Sequence, residues 1–217
     1  MMPKPPEYVL ECVKQAGISF YEHLDALDWP DDHPDEPAKE ANIVLHVAHQ
    51  LMQSGQGFHV YSEARKPRPK NGRTGRLDLL AANNEVAIAL EAKCFGDIGA
   101  MSISVLADVE NLQVFCPEYV ELARGESYKN WWKNASSRWA FAVIASFRMG
   151  NEVAVAWESG SSRSLYEKDR HGFERLITGL KLKNAYRVAF KINEGTRWAN
   201  CGHVYFLVAA FEIKNEP

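Results

Sequence analysis

The chain has 217 residues, 46% of them hydrophobic and 24% charged, an ordinary globular composition that excludes a collagen, a coiled coil or a wholly disordered chain. No apolar run approaches the ~20 residues of a membrane-spanning helix, and residues 1–6 lack the apolar stretch of a secretory signal, so we expect a cytoplasmic protein with no membrane partner. The net charge of −3 argues against a non-specific nucleic-acid coat, and the four widely spaced cysteines predict neither a disulfide framework nor a zinc site.

The N-terminal part is predicted to be helical and then irregular. Residues 7–27 have the apolar spacing of a short helix. The following stretch, residues 28–37 (DWPDDHPDEP), holds three prolines and five acids and is typical of a loop or linker. We therefore interpret residues 1–36 as an N-terminal helical segment followed by an acidic, proline-rich linker.

The first strong helix is predicted over residues 37–54, where apolar residues recur on one helical face. Glu40 lies near its start, where an acid is either favoured by the helix dipole or directed into a cleft. His46 and His49 lie three residues apart on the same helix. No third ligand stands at a matching spacing, so we interpret them as packed or surface histidines.

A strand and a basic segment follow. Residues 58–63 (FHVYSE) are rich in β-favouring side chains and end at Glu63. Residues 64–76 then contain six bases and no acid. Such a segment is either a solvated loop or a surface that holds phosphates. The six bases are Arg65, Lys66, Arg68, Lys70, Arg73 and Arg76.

A β-hairpin is predicted from residues 76–80 and 86–93, with Asn83 and Asn84 as the two central residues of its turn. Its apolar face would carry Leu77, Leu79, Val86, Ile88 and Leu90. Because directly opposed residues share a sheet face, this register would place three residues together on the other face. They are Asp78 opposite Ala89, Glu91 opposite Arg76, and Lys93 opposite Thr74.

Two carboxylates and a lysine near the end of an apolar strand are costly to bury without a purpose. Two close carboxylates repel each other, and a hard divalent cation relieves that repulsion. Mg²⁺ held by few protein oxygens keeps water ligands, and such a water is a nucleophile with a lowered pKa. A neighbouring lysine then orients the water or stabilises charge developing on a phosphate. The alternative is a cross-strand ion pair on a solvent-exposed face of the sheet, which would stabilise the fold by less than about 1 kcal/mol.

The rest of the chain alternates between predicted helices and strands, which favours an α/β or α+β domain with a mixed sheet. Helices are predicted over residues 98–115, 118–134 and 167–180, and strands over residues 139–147, 152–157, 185–192 and 203–213.

The hairpin residues resemble the motif of the PD-(D/E)xK nuclease superfamily, the restriction-endonuclease-like enzymes. The likeness consists of Asp78, twelve intervening residues, and then Glu91, Ala92 and Lys93 at the end of an apolar strand, in the contexts GRLDLL and AIALEAK. The order of predicted elements over roughly residues 37–147 is similar to the αβββαβ core of that superfamily.

The resemblance implies an α/β fold with a restriction-endonuclease-like αβββαβ core, in which a mixed central sheet is flanked by helices and extended by C-terminal strands. Residues 37–147 would form the nuclease-like core. Residues 148–217 would form a C-terminal α/β extension of the same domain.

The resemblance also implies a magnesium-dependent endonuclease that hydrolyses the phosphodiester bonds of DNA. Asp78 and Glu91 would bind Mg²⁺, for which Mn²⁺ would substitute, together with the backbone carbonyl of Ala92. Lys93 would orient the attacking water. Glu40 would bind a second metal ion or hold a water molecule.

Further expectations concern the surroundings of the site. Glu63 would either face the cleft or form a salt bridge at the strand end, and the basic loop of residues 65–76 would hold DNA phosphates. DNA is favoured over RNA through the resemblance alone. Cutting both strands needs two sites, which favours a homodimer or a larger nuclease or defence assembly. The alternative function is a nucleic-acid-binding or partner-binding subunit that has the fold without cleaving.

Overall fold

The computed structural model describes residues 3–26, 40–65, 76–95, 98–114, 132, 134–149, 151–163, 165, 167–192 and 203–214. The helices are α1 (Glu7–Ala26), α2 (Glu40–Gln53), α3 (Ile98–Val114), α4 (Asn151–Ser159) and α5 (Glu167–Leu182). The strands are β1 (His59–Arg65), β2 (Arg76–Ala82), β3 (Val86–Phe95), β4 (Ser137–Met149), β5 (Tyr186–Lys191) and β6 (His203–Glu212). No helix in these ranges is long and apolar enough to cross a membrane.

Most predicted elements are confirmed to within a few residues at each end, including both strands of the hairpin. The first residues of the helix predicted over 37–54 lie outside the described residues, and so does nearly all of the helix predicted over 118–134. Gly55, with a φ of 73°, follows the end of α2, where the left-handed conformation ends a helix without strain on a side chain.

The strand predicted over residues 152–157 is wrong, because these residues belong to α4. Their alternating valines and alanines suggested a strand, but Val155 is 58% exposed. The buried side chains instead have the spacing of one helical face: Val153, Ala154, Ala156 and Trp157. The indole N–H of Trp157 donates a hydrogen bond to the Val208 carbonyl on β6 at 3.1 Å, so a contact 51 residues away holds the helix on the sheet.

The six strands form one open mixed sheet in the order β1-β2-β3-β4-β6-β5. Only β3 and β4 pair in parallel among these neighbours; the other four pairs are antiparallel. A parallel pair needs a crossover connection, and α3 lies in the one that joins β3 to β4. The carboxyl ends of β3 and β4 therefore lie at the same end of the sheet, and β6 and β5 extend the sheet beyond β4.

Helices cover both faces of the sheet, and we name the two halves of the core after them. The α1–α2 layer packs on one face and the α3–α5 layer, formed by α3, α4 and α5, packs on the other. Residues of β3 alternate between the layers: Val86, Ile88, Leu90 and Ala92 face α1–α2, whereas Ala87 and Ala89 face α3–α5. By the same alternation Glu91 and Lys93 project towards the α3–α5 layer.

Candidate active site

The β2–β3 hairpin has a register two residues away from the predicted one. Its two central turn residues are Asn84 and Glu85, not Asn83 and Asn84, so this prediction is wrong. Four residue pairs define the observed register: Leu79–Leu90, Leu80–Ala89, Ala81–Ile88 and Ala82–Ala87.

The side chain of Asn83 explains the difference. Its Oδ1 accepts hydrogen bonds from the backbone N–H groups of Glu85, at 2.9 Å, and Val86, at 2.8 Å. The backbone N–H of Asn83 donates to the Val86 carbonyl at 3.0 Å. The predicted turn requires positive φ at both central residues. Among the described non-glycine residues only Asn184 has positive φ. Asn83 is therefore the first residue of an Asx turn, in which the side-chain oxygen of asparagine accepts the backbone N–H two residues further on.

A shift of two residues preserves the face that each side chain occupies but changes its neighbours. Continued by one rung, the observed register places Asp78 opposite Glu91 instead of Ala89. The two acids of the proposed motif thus lie one residue beyond the last regular pair, Leu79–Leu90, and are closer in register than the sequence predicted.

The regular pairing ends at this rung, where a side chain links the two strands. The backbone N–H of Ala92 donates a hydrogen bond to Oδ2 of Asp78 at 2.7 Å. The register would place Leu77 opposite Ala92, and Leu77 packs with Leu80 in the α3–α5 layer rather than with Leu79 in the α1–α2 layer. The prediction that Leu77 and Leu79 share a face is therefore wrong, and Asp78 lies where β2 loses its alternation.

The β1–β2 register adds a third acid to the same rung. The pairs Ser62–Leu79 and Ala64–Leu77 flank it and place the backbone of Glu63 opposite that of Asp78. Three neighbouring strands, about 4.8 Å apart, thus carry an acid at one level. We call this set the acidic row: Glu63, Asp78 and Glu91. Like charges opposite one another on neighbouring strands are unfavourable, so a cation beside Asp78 and Glu91 would relieve their repulsion.

Two bases form the last backbone pair of the β1–β2 ladder, Arg65 and Arg76. We call these two residues the basic pair. Arg65 ends β1 and Arg76 begins β2, so the predicted basic loop connects two strands at this end of the sheet. The remaining loop bases lie outside the described residues, as does Thr74: Lys66, Arg68, Lys70 and Arg73.

Lys93 is held by an acid that the sequence analysis did not identify. Its Nζ lies 3.3 Å from Oδ2 of Asp108 on α3, and the two side chains are 19% and 22% exposed. Glu91, two residues earlier on the same strand face, is only 5% exposed. A sequence signal for Asp108 exists in retrospect, since this acid stands between Val105, Val109 and Leu112 on the first helix after the motif.

Glu40 begins α2, which packs in the α1–α2 layer. Glu91 and Lys93 project from the opposite face of the sheet. The structure therefore places Glu40 on a different layer from these two motif residues. His46 is also in α2, where its Nδ1 lies 3.0 Å from Oγ of Ser19 on α1, whereas His49 is exposed.

The donor groups near the end of the β2–β3 ladder are all oxygen atoms, the ligand type that hard divalent cations prefer. The N–H and C=O of one residue in an antiparallel strand point to the same neighbouring strand, so the Ala92 carbonyl points towards β2, as its N–H does. Together with the carboxylates of Asp78 and Glu91 it forms an all-oxygen donor set. Mg²⁺ retains several waters and commonly uses one or two carboxylates. Among the described side chains, no group of three or more His, Cys, Asp or Glu residues is arranged to hold a metal ion.

Comparisons of the chain with protein-family models, with curated proteins and with solved structures found no match.

Proposed function

We propose that this protein is a magnesium-dependent endonuclease of the PD-(D/E)xK type, which hydrolyses phosphodiester bonds in DNA. The observation that carries the proposal is the hydrogen bond from the Ala92 N–H to Asp78 Oδ2 at 2.7 Å. It joins residues 14 positions apart and brings the Asp78 carboxylate beside the backbone between Glu91 and Lys93. A chance occurrence of the three motif residues in sequence would not require this contact.

The order of elements supports a restriction-endonuclease-like core. The described elements from α2 to β4 are a helix, three strands, a helix and a strand, in the αβββαβ order of that superfamily. The motif lies at the carboxyl end of β3, next to the parallel strand β4. In open α/β sheets, ligands bind in the crevice outside the carboxyl ends of the strands.

In the proposed mechanism the chain supplies metal ligands and a positioned cation. Asp78, Glu91 and the Ala92 carbonyl would hold Mg²⁺, with Mn²⁺ as a substitute. The bound ion would lower the pKa of a coordinated water and so supply the nucleophile. The Lys93 ammonium would donate a hydrogen bond to the attacking oxygen and stabilise negative charge developing on the phosphate. Glu63, on the same rung as Asp78, would extend the ligand set or hold a water.

The charge distribution supports a nucleic acid as the substrate. The basic pair lies two residues beyond the backbone level of Glu63 and Asp78, and the sequence between β1 and β2 carries four further bases. Bases so close to a cation site would bind the phosphates on either side of the scissile bond. We propose DNA as the substrate, a cytoplasmic location, and a homodimer or larger defence assembly as the form that cuts both strands.

The test is cleavage of supercoiled plasmid in the presence of Mg²⁺ or Mn²⁺ by the wild-type protein, Asp78→Ala and Lys93→Ala. We expect metal-dependent nicking by the wild type and a loss of at least about 100-fold in both variants, since each removes a charge that acts in the transition state. Glu85→Gln, an exposed acid at the other end of the hairpin, and Lys14→Ala on α1 serve as matched controls.

Three outcomes decide between the candidate functions. Nicking that disappears in both variants and persists in both controls supports the nuclease. Equal cleavage by the variants and the wild type contradicts it, as does wild-type protein that neither cleaves nor binds a divalent metal in calorimetry. Salt-dependent DNA binding without any product, on several plasmids and with either metal, would instead support the non-cleaving nucleic-acid-binding subunit.

A further inference from the structure

We infer that Asp108 is a positioning residue that holds the Lys93 ammonium at the site. The inference rests on the proposed function, because it assigns a partner to the lysine that would orient the attacking water. It depends on a different observation, the ion pair between β3 and α3 in which Lys93 Nζ lies 3.3 Å from Asp108 Oδ2. Asp108 is separated from the motif by 15 residues and lies in a different element.

The surroundings of Asp108 make it a rigid support. Val105, Val109 and Leu112 on the same helix are fully buried in the α3–α5 layer. These side chains fix the rotation of α3 about its axis, so the Asp108 carboxylate meets the sheet at a defined position. Both partners of the ion pair are about four-fifths buried. An ion pair at this depth is less screened by salt than a surface pair.

Lys93 needs such a support if it is to act at one atom. A lysine side chain is a point charge on a flexible four-carbon stem, and its rotamer entropy is worth about 2 kcal/mol. On the β4 side its register partner is Ile144, which is fully buried and offers no charge. Asp108 supplies a fixed acceptor from the helix above. An ammonium has three donors, so a single acceptor such as Asp108 does not exhaust the hydrogen-bonding capacity of Lys93.

A purely structural ion pair between α3 and β3 is the competing explanation, and the two make different predictions. A structural pair stabilises the fold and has no specific link to turnover. A positioning residue changes kcat through Lys93 alone, so its removal has no further effect once Lys93 is gone.

The experiment measures kcat, KM and thermal unfolding for the wild type, Asp108→Asn, Lys93→Met and the double variant, using plasmid nicking with Mg²⁺. We expect Asp108→Asn to lower kcat by about 10- to 100-fold, as removal of an outer-shell partner does, with KM unchanged. The double variant should be no slower than Lys93→Met. Asp108→Glu, which keeps the carboxylate, should recover part of the lost rate. Glu110→Gln, an exposed acid on the same helix, is the matched control and should behave as the wild type.

The failures are distinguishable. A wild-type protein without metal-dependent cleavage overturns the proposed function and this inference with it. A cleaving wild type whose kcat is unchanged by Asp108→Asn overturns the inference alone. Independent effects of the two substitutions also overturn it, as does a loss of folding stability in Asp108→Asn without a change in kcat. Should Asp108→Asn fail to fold, Asp108→Glu decides, since wild-type kcat in that variant would contradict the need for a carboxylate at one position.

Discussion

The two ends of the β2–β3 hairpin use the same structural device for different purposes. At the turn, Asn83 Oδ1 accepts hydrogen bonds from the Glu85 and Val86 N–H groups. At the open end, Asp78 Oδ2 accepts one from the Ala92 N–H. In both places the oxygen of a short polar side chain accepts a hydrogen bond from a backbone N–H where the regular strand pairing ends. The turn uses a neutral amide and reaches two or three residues along the chain. The open end uses a carboxylate and reaches 14 residues.

This difference distinguishes the turn, whose polar side chain stabilises the fold, from the open end, whose charged side chains lower stability unless a counter-ion is bound. An amide at the turn satisfies local donors without introducing charge. A carboxylate at the open end joins Glu63 and Glu91 on one rung, where like charges are unfavourable without a counter-ion. The hydrogen bond alone could be made by asparagine, so the charge of Asp78 is the part that indicates function.

The largest expected effect follows from replacing Asp78 by asparagine. The amide oxygen can still accept the Ala92 N–H, so the free energy of unfolding should change by less than about 1 kcal/mol. The charge that would bind the metal ion in the proposed mechanism is lost, so metal-dependent nicking should fall by more than about 100-fold, beyond the usual effect of an outer-shell partner. Plasmid cleavage and urea unfolding on the same preparation test both. Retained cleavage would show that the charge at Asp78 is not needed.

A smaller effect, on stability alone, is expected for Asn83→Ala. This variant leaves the N–H groups of Glu85 and Val86 without their side-chain acceptor, and we expect the free energy of unfolding to fall by about 0.5–1.5 kcal/mol, since water can replace part of the loss. Cleavage per folded molecule should stay within about twofold of the wild type. Urea denaturation gives the first quantity and nicking at saturating folded protein the second. Unchanged stability would mean that the turn does not depend on this side chain.

The reciprocal change, Asn83→Asp, should have little effect on stability or on cleavage. Aspartate accepts the same two hydrogen bonds and is as suitable as asparagine for the first position of an Asx turn. We expect a change in unfolding free energy within about 0.5 kcal/mol and unaltered cleavage. With Asp78→Asn it completes an exchange of amide and carboxylate between the two ends. Comparable losses of activity in both variants would contradict a functional difference between the ends.

The smallest expected effect is on the pH dependence of the free energy of unfolding, through a histidine of α2. Burial, reinforced by the charges of His23 and His49, lowers the pKa of His46 in the folded protein from its ordinary value of 6.5. Below pH 6.5 the His46 of the unfolded chain therefore binds more protons than that of the folded protein. The free energy of unfolding consequently keeps its full value above pH 6.5 and decreases as the pH falls below it. Urea unfolding at pH 7.5 and 5.5 should show a smaller loss for His46→Gln than for the wild type. His171→Gln, an exposed histidine on α5, should match the wild type, and an equal loss in His46→Gln would contradict the assignment.

The sequence predicted both strands of the hairpin and the motif residues on β3 from local patterns. It missed the register by two residues, because asparagine suits either a central turn position or the position before the turn. Only the hydrogen bonds of Asn83 distinguish the two. The alternating pattern of residues 152–157 was equally ambiguous, and the contact of Trp157 with β6 selects a helix.

By itself the sequence determined the order of the described elements from α1 to β4, the alternation that separates the apolar residues of β3 from Glu91 and Lys93, and the acid-free segment between β1 and β2, because these depend on residues close together in the chain. Only the tertiary structure decided that Asp78 and Glu91 occupy one rung, that Asp108 meets Lys93, and that Glu40 begins a helix on the other layer. These relations depend on register and on which helix covers which face. Packing of the whole core selects them, and no short stretch of sequence specifies them.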